Sequence, residues 1–164
     1  METVRLYEPR DEQQLREIAC QNYAEQFQGD KPVEPDDPEL EAYLAHIIQK
    51  QASGKGIILV AEQENRLIGF VCLLAPENTA TENDSESAYA FMSDLFVVPA
   101  CRRQGTGSLL TRKLEEQAGV MGATSIALRV MADNQGSRHF YTKAQYQEKF
   151  VVMSKPLGSA LRKS

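Results

Sequence analysis

Apolar and polar positions along this chain follow two periods, and the switches between them mark out its elements. Thr3–Glu8 sets Val4 and Leu6 against polar neighbours, the two-residue period of a strand, and stops at Pro9. Asp11 is placed to cap a helix running to about Phe27, with Leu15, Ile18, Ala19 and Cys20 as its buried stripe. Pro32, Pro35 and Pro38 keep Gln28–Asp37 out of regular structure. A second helix opens on Pro38 with Asp37 as its cap, and ends at Ser53-Gly54. Leu40, Tyr43, Leu44, Ile47 and Ile48 supply its helical spacing. Gly56–Glu64 and Arg66–Ala75 read as two strands joined by a tight turn at Glu64-Asn65. Gly69 inside the second of these predicts a bulge or a close backbone approach.

The pattern continues beyond a polar, acidic loop at Pro76–Ser87. Tyr89–Val98 is mostly apolar, which predicts a central strand buried on both faces. Thr106–Val120 predicts a helix with Leu109, Leu110, Leu114 and Ala118 inward, ending near Gly119 or Gly122. Ser125–Val130 reads as a short strand, Asn134–Lys143 as a shorter helix and Lys149–Ser154 as a final strand. This alternation predicts one α/β domain over residues 1–164, a mixed sheet of six or seven strands flanked by about four helices.

Composition narrows the class. The 164 residues are 42% hydrophobic and 25% charged, the balance of a folded globular protein. No apolar run reaches the ~18 residues of a membrane span, and the N-terminus lacks the pattern of a signal peptide. Cys20, Cys72 and Cys101 are far apart and without metal-ligand spacing, which predicts free thiols, a reducing cytoplasm and no metal. A net charge of −5 argues against a nucleic-acid partner, which needs a basic face. The acids are gathered: Asp30, Glu34, Asp36, Asp37, Glu39 and Glu41 in one segment, Glu77, Glu82, Asp84 and Glu86 in another. Arg102, Arg103, Arg112 and Lys113 gather elsewhere, around a glycine-bearing turn. Two ligands of opposite sign would suit that division, although acidic loops are also simply well solvated.

The turn carries the chemistry. Asp94 to Leu110 runs as a strand, a proline stop, Arg102-Arg-Gln-Gly-Thr-Gly107 and then a helix start. Unpaired N–H groups and the positive end of the helix dipole make such a junction a seat for phosphate. A dinucleotide fingerprint needs a third glycine where Leu110 stands. No Walker-type Gly-x-x-x-x-Gly-Lys-Ser/Thr string occurs, and a kinase glycine loop needs a much longer chain.

What does match is the Arg/Gln-x-x-Gly-x-Gly/Ala motif of the GNAT superfamily of N-acetyltransferases, which Arg102 to Gly107 resembles. It follows a strand ending Leu-Phe-Val-Val-Pro, as in that family, and Asn134, Ser137 and Phe140-Tyr141 follow at the family's separation. The likeness is close over about residues 56–155 and extends to element order alone before them. It implies that the core over 56–155 binds acetyl-CoA and that the helices over about 10–53 form the acceptor side. The backbone N–H groups of Arg103, Gln104, Gly105, Thr106, Gly107 and Ser108 would hold the pyrophosphate, with Arg102 or Arg103 adding charge. The backbone of Leu95, Phe96 and Val97 would pair with pantetheine as an extra strand would. Asn134 resembles the residue that hydrogen-bonds the pantetheine arm, with Ser137 beside it; an N-cap role suits Asn134 equally. Tyr141 resembles the family's general acid, donating a proton to the departing thiolate. A backbone N–H at Phe96 or Val97 could stabilise the oxyanion.

Two departures from the family stand out. Many members carry a glutamate before the Asp-Leu pair of this strand; here that position is Ser93. An amine with pKa ~10.4 is neutral in about one molecule in a few thousand at pH 7, so some group must take its proton. Ser93 or Tyr89 through a water, Asp94 and an acidic loop residue all stay open, although strand alternation points Asp94 opposite Ser93. The helix bearing the tyrosine usually ends in Gly-Phe or Gly-Tyr, whereas here it ends in Gln145-Tyr146. Cys101, His46 and His139 read as packing or surface residues.

The resemblance implies transfer of an acetyl group from acetyl-CoA to a primary amine by direct attack. The acceptor, a small molecule or a peptide, would be cationic and would enter between the Asp30–Glu41 and Pro76–Ser87 segments. A non-catalytic acyl-CoA-binding sensor and a structural homodimer partner are the competing functions. Intact Tyr141 and Asn134 weigh against the sensor, and the arginines against a vestigial turn.

Overall fold

The computed structural model describes residues 1–26, 33–75 and 89–158. Its strands are β1 (Glu2–Leu6), β2 (Gly56–Gln63), β3 (Arg66–Leu74), β4 (Tyr89–Val97) and β5 (Ser125–Ala127). Its helices are α1 (Glu12–Gln26), α2 (Pro38–Ala52), α3 (Thr106–Val120) and α4 (Gln135–Lys143). Short 3-10 turns at Pro9–Asp11 and Pro99–Cys101 precede α1 and the glycine turn. The chain divides into two units, Met1–Arg129 and Val130–Ser164. Among the described residues no helix is long and apolar enough to cross a membrane.

The first unit holds the sheet, ordered β1-β2-β3-β4-β5. The first four strands pair antiparallel and β5 lies parallel to β4. Alternation along β2 and β3 sends Ile58, Val60, Phe70 and Cys72 to one face. There they bury against Leu15, Ile18 and Ala19 of α1 and Leu40, Leu44 and Ile47 of α2. The other face packs against α3, whose Leu110, Leu114 and Ala118 are buried. Gly69 is required by close approach: a Cβ there would lie 2.7 Å from the Phe96 carbonyl oxygen and 3.2 Å from Leu110 Cδ1. The adjacent register shift between Ala61 and Glu62 makes this the expected bulge as well.

Five strands form among the described residues, not the expected six or seven. Lys149–Ser154 makes no strand, and Phe150, Val151, Val152 and Met153 are exposed. Such a run suits a pleated surface, but that preference is expressed only where a neighbouring edge supplies hydrogen bonds and packing. The strand expected over Ser125–Val130 closes at Ala127 for the same reason, since its pairing with β4 stops there. β4 is likewise less buried than its composition predicts, with Ala90, Met92 and Phe96 inside and Tyr89 exposed.

Asp37 caps α2 as expected, its Oδ1 accepting from the Glu39 and Leu40 N–H groups at 2.9 and 3.3 Å. Asp11 does something different. It ends the 3-10 turn and accepts two bonds from the Arg5 guanidinium (2.7 and 2.8 Å) and one from the Glu8 N–H (2.8 Å). Arg5 also reaches Glu62, so one guanidinium ties β1, β2 and the entry to α1 together. The Arg5 hydrogen bonds hold the Asp11 carboxyl below its ordinary pKa, against the opposing effect of burial. A depressed carboxylate pKa contributes stability above the unfolded-state value that is lost as pH falls through the folded one. Asp11→Asn is therefore expected to lower unfolding free energy by about 1–3 kcal/mol near neutral pH. Urea titrations should show that gap closing below about pH 4; a gap independent of pH would contradict the assignment.

Candidate active site

In the first unit the chain leaves β4 and enters α3 through a turn shaped by two left-handed residues. The 3-10 turn from Pro99 is closed by the Cys101 N–H donating to the Val98 carbonyl at 2.9 Å. Arg103 then takes φ +65° and Gly105 φ +93°. A Cβ on Gly105 would meet nothing within 4 Å, so glycine is needed there for conformation and not for room. Gly105 stands at the N-cap of α3 with no side-chain cap bond, leaving the first-turn N–H groups of the helix without a side-chain acceptor. Gln104, Gly105 and Ser108 are exposed, Gly107 is half-buried and Thr106 is buried. Thr106 Oγ1 donates to Glu2 at 3.2 Å, and Thr111 Oγ1 to the Gly107 carbonyl at 2.9 Å, fixing the first turn of α3 from both ends.

The two arginines of the turn differ in employment. Arg102 Nε donates to the Val97 carbonyl at 2.7 Å, and its terminal nitrogen reaches both oxygens of Glu25 at 2.8 and 2.9 Å. Its guanidinium also lies 5.3 Å from the centre of the Phe96 ring. Arg102 thus joins the end of α1 to the end of β4, while Arg103 projects from the turn and is exposed. Glu25 was not legible as its partner, because nothing in the sequence relates α1 to this turn.

β4 has a partner along one edge only for most of its length. It pairs with β3 from Phe91 to Val97, but with β5 only at Tyr89, Ala90 and Phe91. From Met92 to Val97, which includes Leu95, Phe96 and Val97, that second edge has no strand neighbour among the described residues.

A bulge lies within this stretch. Leu73 is opposite Met92 and Cys72 is opposite Asp94, so Ser93 is the extra residue. Strict alternation does not hold across it, which removes the argument that set Ser93 and Asp94 on opposite faces. Asp94 faces α1 and α2. Its Oδ1 accepts from Asn22 Nδ2 at 3.0 Å and Gln26 Nε2 at 3.4 Å, and its Oδ2 accepts from the Tyr43 hydroxyl. Tyr43 also contacts Cys72 Sγ at 3.9 Å. Burial raises the Asp94 carboxyl above the ordinary carboxylate range, opposed in part by those donors. Burial first, then the neighbouring Cys72 and Asp94, push the Tyr43 phenol far up, and burial does the same to the Cys72 thiol. Ser93 Oγ is buried, and its hydroxyl also helps to hold the Asp94 carboxyl down.

Asn22 was missed by the periodicity, yet its signal was present. Leu15, Ile18, Ala19 and Asn22 share the buried face of α1, so Asn22 is a polar residue where the spacing asks for an apolar one. Of the acids expected to receive a cationic acceptor, Glu39 accepts from the Tyr23 hydroxyl at 2.5 Å, and Glu41 pairs with Arg16. Asp30, the other residues of 27–32 and the acidic loop within 76–88 lie outside the described residues.

The second unit carries Asn134, Ser137 and Tyr141 on α4. Asn134 is the N-cap, its Oδ1 accepting from the Ser137 N–H at 3.1 Å. Tyr141 packs edge-on to Phe140 and Tyr146, with ring centres 5.1 and 5.6 Å away. Arg138 bonds Glu148 at 2.5 Å and the Ala132 carbonyl at 3.1 Å, and His139 lines a shallow hollow beside them. Gln145 takes φ +71°, and the Tyr146 N–H returns to the Tyr141 carbonyl at 2.9 Å. The helix therefore keeps a left-handed exit although no glycine stands there.

The model of the acetyltransferase (GNAT) family matches residues 13–146. The chain belongs to this family. It is an acyltransferase by that membership. The uncharacterized N-acetyltransferase YhfO of Bacillus subtilis is 31% identical over 108 residues, covering 66% of this chain and 68% of YhfO. A predicted acetyltransferase from Clostridium acetobutylicum, solved with acetyl-CoA, superimposes with a TM-score of 0.76 over all of both chains at 16% identity. AAC(6')-Iy, solved with the bisubstrate analog CoA-S-monomethyl-acetylneamine, gives 0.73 over 96% of this chain and 99% of its own, also at 16% identity. At that identity the two structures speak for the fold.

The exit of α4 gives a direct test. A non-glycine residue in the left-handed region carries a penalty of roughly 1 kcal/mol. Gln145→Gly in this acetyltransferase is expected to raise unfolding free energy by about that amount, read by thermal or urea unfolding. A loss of stability would show that the Gln145 side chain makes a contact worth more than the backbone penalty.

Proposed function

We propose that this family member transfers the acetyl group of acetyl-CoA to the nitrogen of a cationic primary amine by direct attack. The observation that carries the reading is the succession of two backbone stretches without a strand partner or a side-chain cap among the described residues. The open edge of β4 runs from Met92 to Val97, and the uncapped start of α3 follows eight residues later at Gly105. The edge suits the amides of pantetheine and the helix start suits a pyrophosphate. In this reading Leu95, Phe96 and Val97 hold the arm, and Arg103 through Ser108 hold the phosphates. Arg103 is the cation that faces them, and Arg102 braces the turn through Glu25.

Asn134 and Ser137 belong to the same donor site in this proposal, and Tyr141 is the general acid. The amine attacks the thioester carbonyl, a C–N bond forms, and the tetrahedral intermediate expels CoA thiolate, which takes a proton from the Tyr141 hydroxyl. The family assignment and the solved relatives with acetyl-CoA and with a CoA–neamine conjugate support the donor and the chemical class of acceptor.

The test is thiol release from acetyl-CoA across spermidine, neamine, lysine and peptide amines. Turnover with at least one amine is expected, and CoA binding without turnover on any of them would favour an acyl-CoA sensor instead. Tyr141→Phe should lower kcat by about 10²-fold, the lower range for a general acid, while KM for acetyl-CoA changes by less than about threefold. Equal losses in both constants would make Tyr141 a packing residue.

A further inference from the structure

The turn assigned to the pyrophosphate lies against an acid from the first strand of the sheet. β1 alternates Glu2, Val4 and Leu6 on one face with Thr3 and Arg5 on the other. Arg5 reaches Asp11 at the entry of α1, whereas Val4 and Leu6 line a hollow with Lys113 and Gln117 of α3. Glu2 is therefore on the α3 side, and it meets that helix at its first residue.

The contact is specific. Thr106 Oγ1 donates to Glu2 Oε2 at 3.2 Å, and Thr106 is buried. The other carboxylate oxygen, Oε1, is buried and has no hydrogen-bond partner among the described residues. No lysine or arginine of those residues forms an ion pair with Glu2 either. Arg5 is taken by Asp11 and Glu62, and Lys113 by Glu116. Such a carboxylate has lost water on one oxygen and gained a single neutral hydroxyl on the other. That exchange alone is unfavourable. The start of α3 compensates it, because the positive end of a helix attracts an anion held beside its first turn. α3 has no acid in that turn and no side-chain cap, so Glu2 supplies from β1 the negative charge the helix itself lacks.

The pyrophosphate would come to the same helix end from outside. Gln104, Gly105 and Ser108 are exposed, so the ligand takes the open side of the turn while Glu2 keeps the buried side. Two anions then share one helix dipole. Water and salt screen a buried charge poorly, and like charges so placed repel.

We propose that Glu2 sets the affinity of the donor site. Its carboxylate stands in for the phosphates at the start of α3 in the free protein and opposes them in the complex, with Thr106 as the residue that positions it. The inference rests on the acetyl-CoA reading of the previous section. Glu2 thus stabilises ligand-free α3, weakens binding of acetyl-CoA and CoA alike, and favours release of CoA after transfer.

Glu2→Gln separates the two effects, since it removes the charge and keeps an oxygen for the Thr106 hydroxyl. Calorimetry should show the Kd for CoA falling about three- to tenfold. Dephospho-CoA, which retains the pyrophosphate, should gain by the same factor. Ligand-free Glu2→Gln should unfold at a lower temperature than the unmodified protein. Glu116→Gln makes the same change in net charge on α3, at an exposed pair with Lys113, and should leave the Kd within about 1.5-fold. A residue that merely shapes the turn would lower stability and affinity together, so weaker or unchanged CoA binding by Glu2→Gln overturns the proposal. An equal gain in Glu116→Gln would make the effect one of net charge, and a gain confined to CoA would place it at the 3′-phosphate; either result overturns it too. Unmodified protein that binds no CoA would remove the donor site itself, and this inference with it.

Discussion

A strand must satisfy its backbone on both edges, and among the described residues β4 has a strand partner on one edge alone for most of its length. β3 covers one side from Phe91 to Val97, while β5 leaves the other after Phe91. Buried or half-buried N–H and C=O groups without partners are costly, at roughly 1–3 kcal/mol each. Such an edge is stable only where water, or a ligand with amides of its own, completes it. Much of the first unit serves to present this edge. Gly69 lets β3 sit close against the Phe96 carbonyl, Phe96 packs with Phe70, and α3 seals the opposite face through Leu110. The same strand then delivers the chain to Gly105, whose left-handed backbone exposes the first turn of α3.

Around this strand the charged residues divide into those that fix geometry and those that stay available. Arg5, Asp11 and Glu62 lock the start of the sheet to the entry of α1, and Arg102 with Glu25 locks the exit of α1 to the turn. Exposed ion pairs contribute little on their own. Arg102 gains from its bidentate geometry, its bond to the Val97 carbonyl and its position over Phe96. Arg103 is different, exposed and cationic, and in the proposed enzyme it serves the anionic donor.

Much of this was legible in the sequence. Asp37 caps α2, Gly69 makes a close approach at a bulge, and the Arg102–Gly107 turn forms at the start of α3 because the backbone demands of these positions are local. What depended on register or distant pairing was not. The bulge that turns Asp94 toward α1 is invisible to alternation, since a one-residue shift leaves no mark on composition. Asn22 is bonded across the fold to Asp94, so its presence on an apolar stripe was a clue without an address. The tyrosine helix keeps a left-handed exit without a glycine, with Gln145 accepting the strain. The apolar run at Lys149–Ser154 had the composition of a strand and lacked the partner edge that makes one.

The central claim is that the open edge of β4 and the start of α3 together receive CoA, and amide hydrogen exchange tests it residue by residue. Adding CoA should slow exchange both within Leu95–Val97 and across Arg103–Ser108, the two stretches whose backbone donors the ligand would complete. CoA binding that protects other segments and leaves these two unchanged would contradict the account.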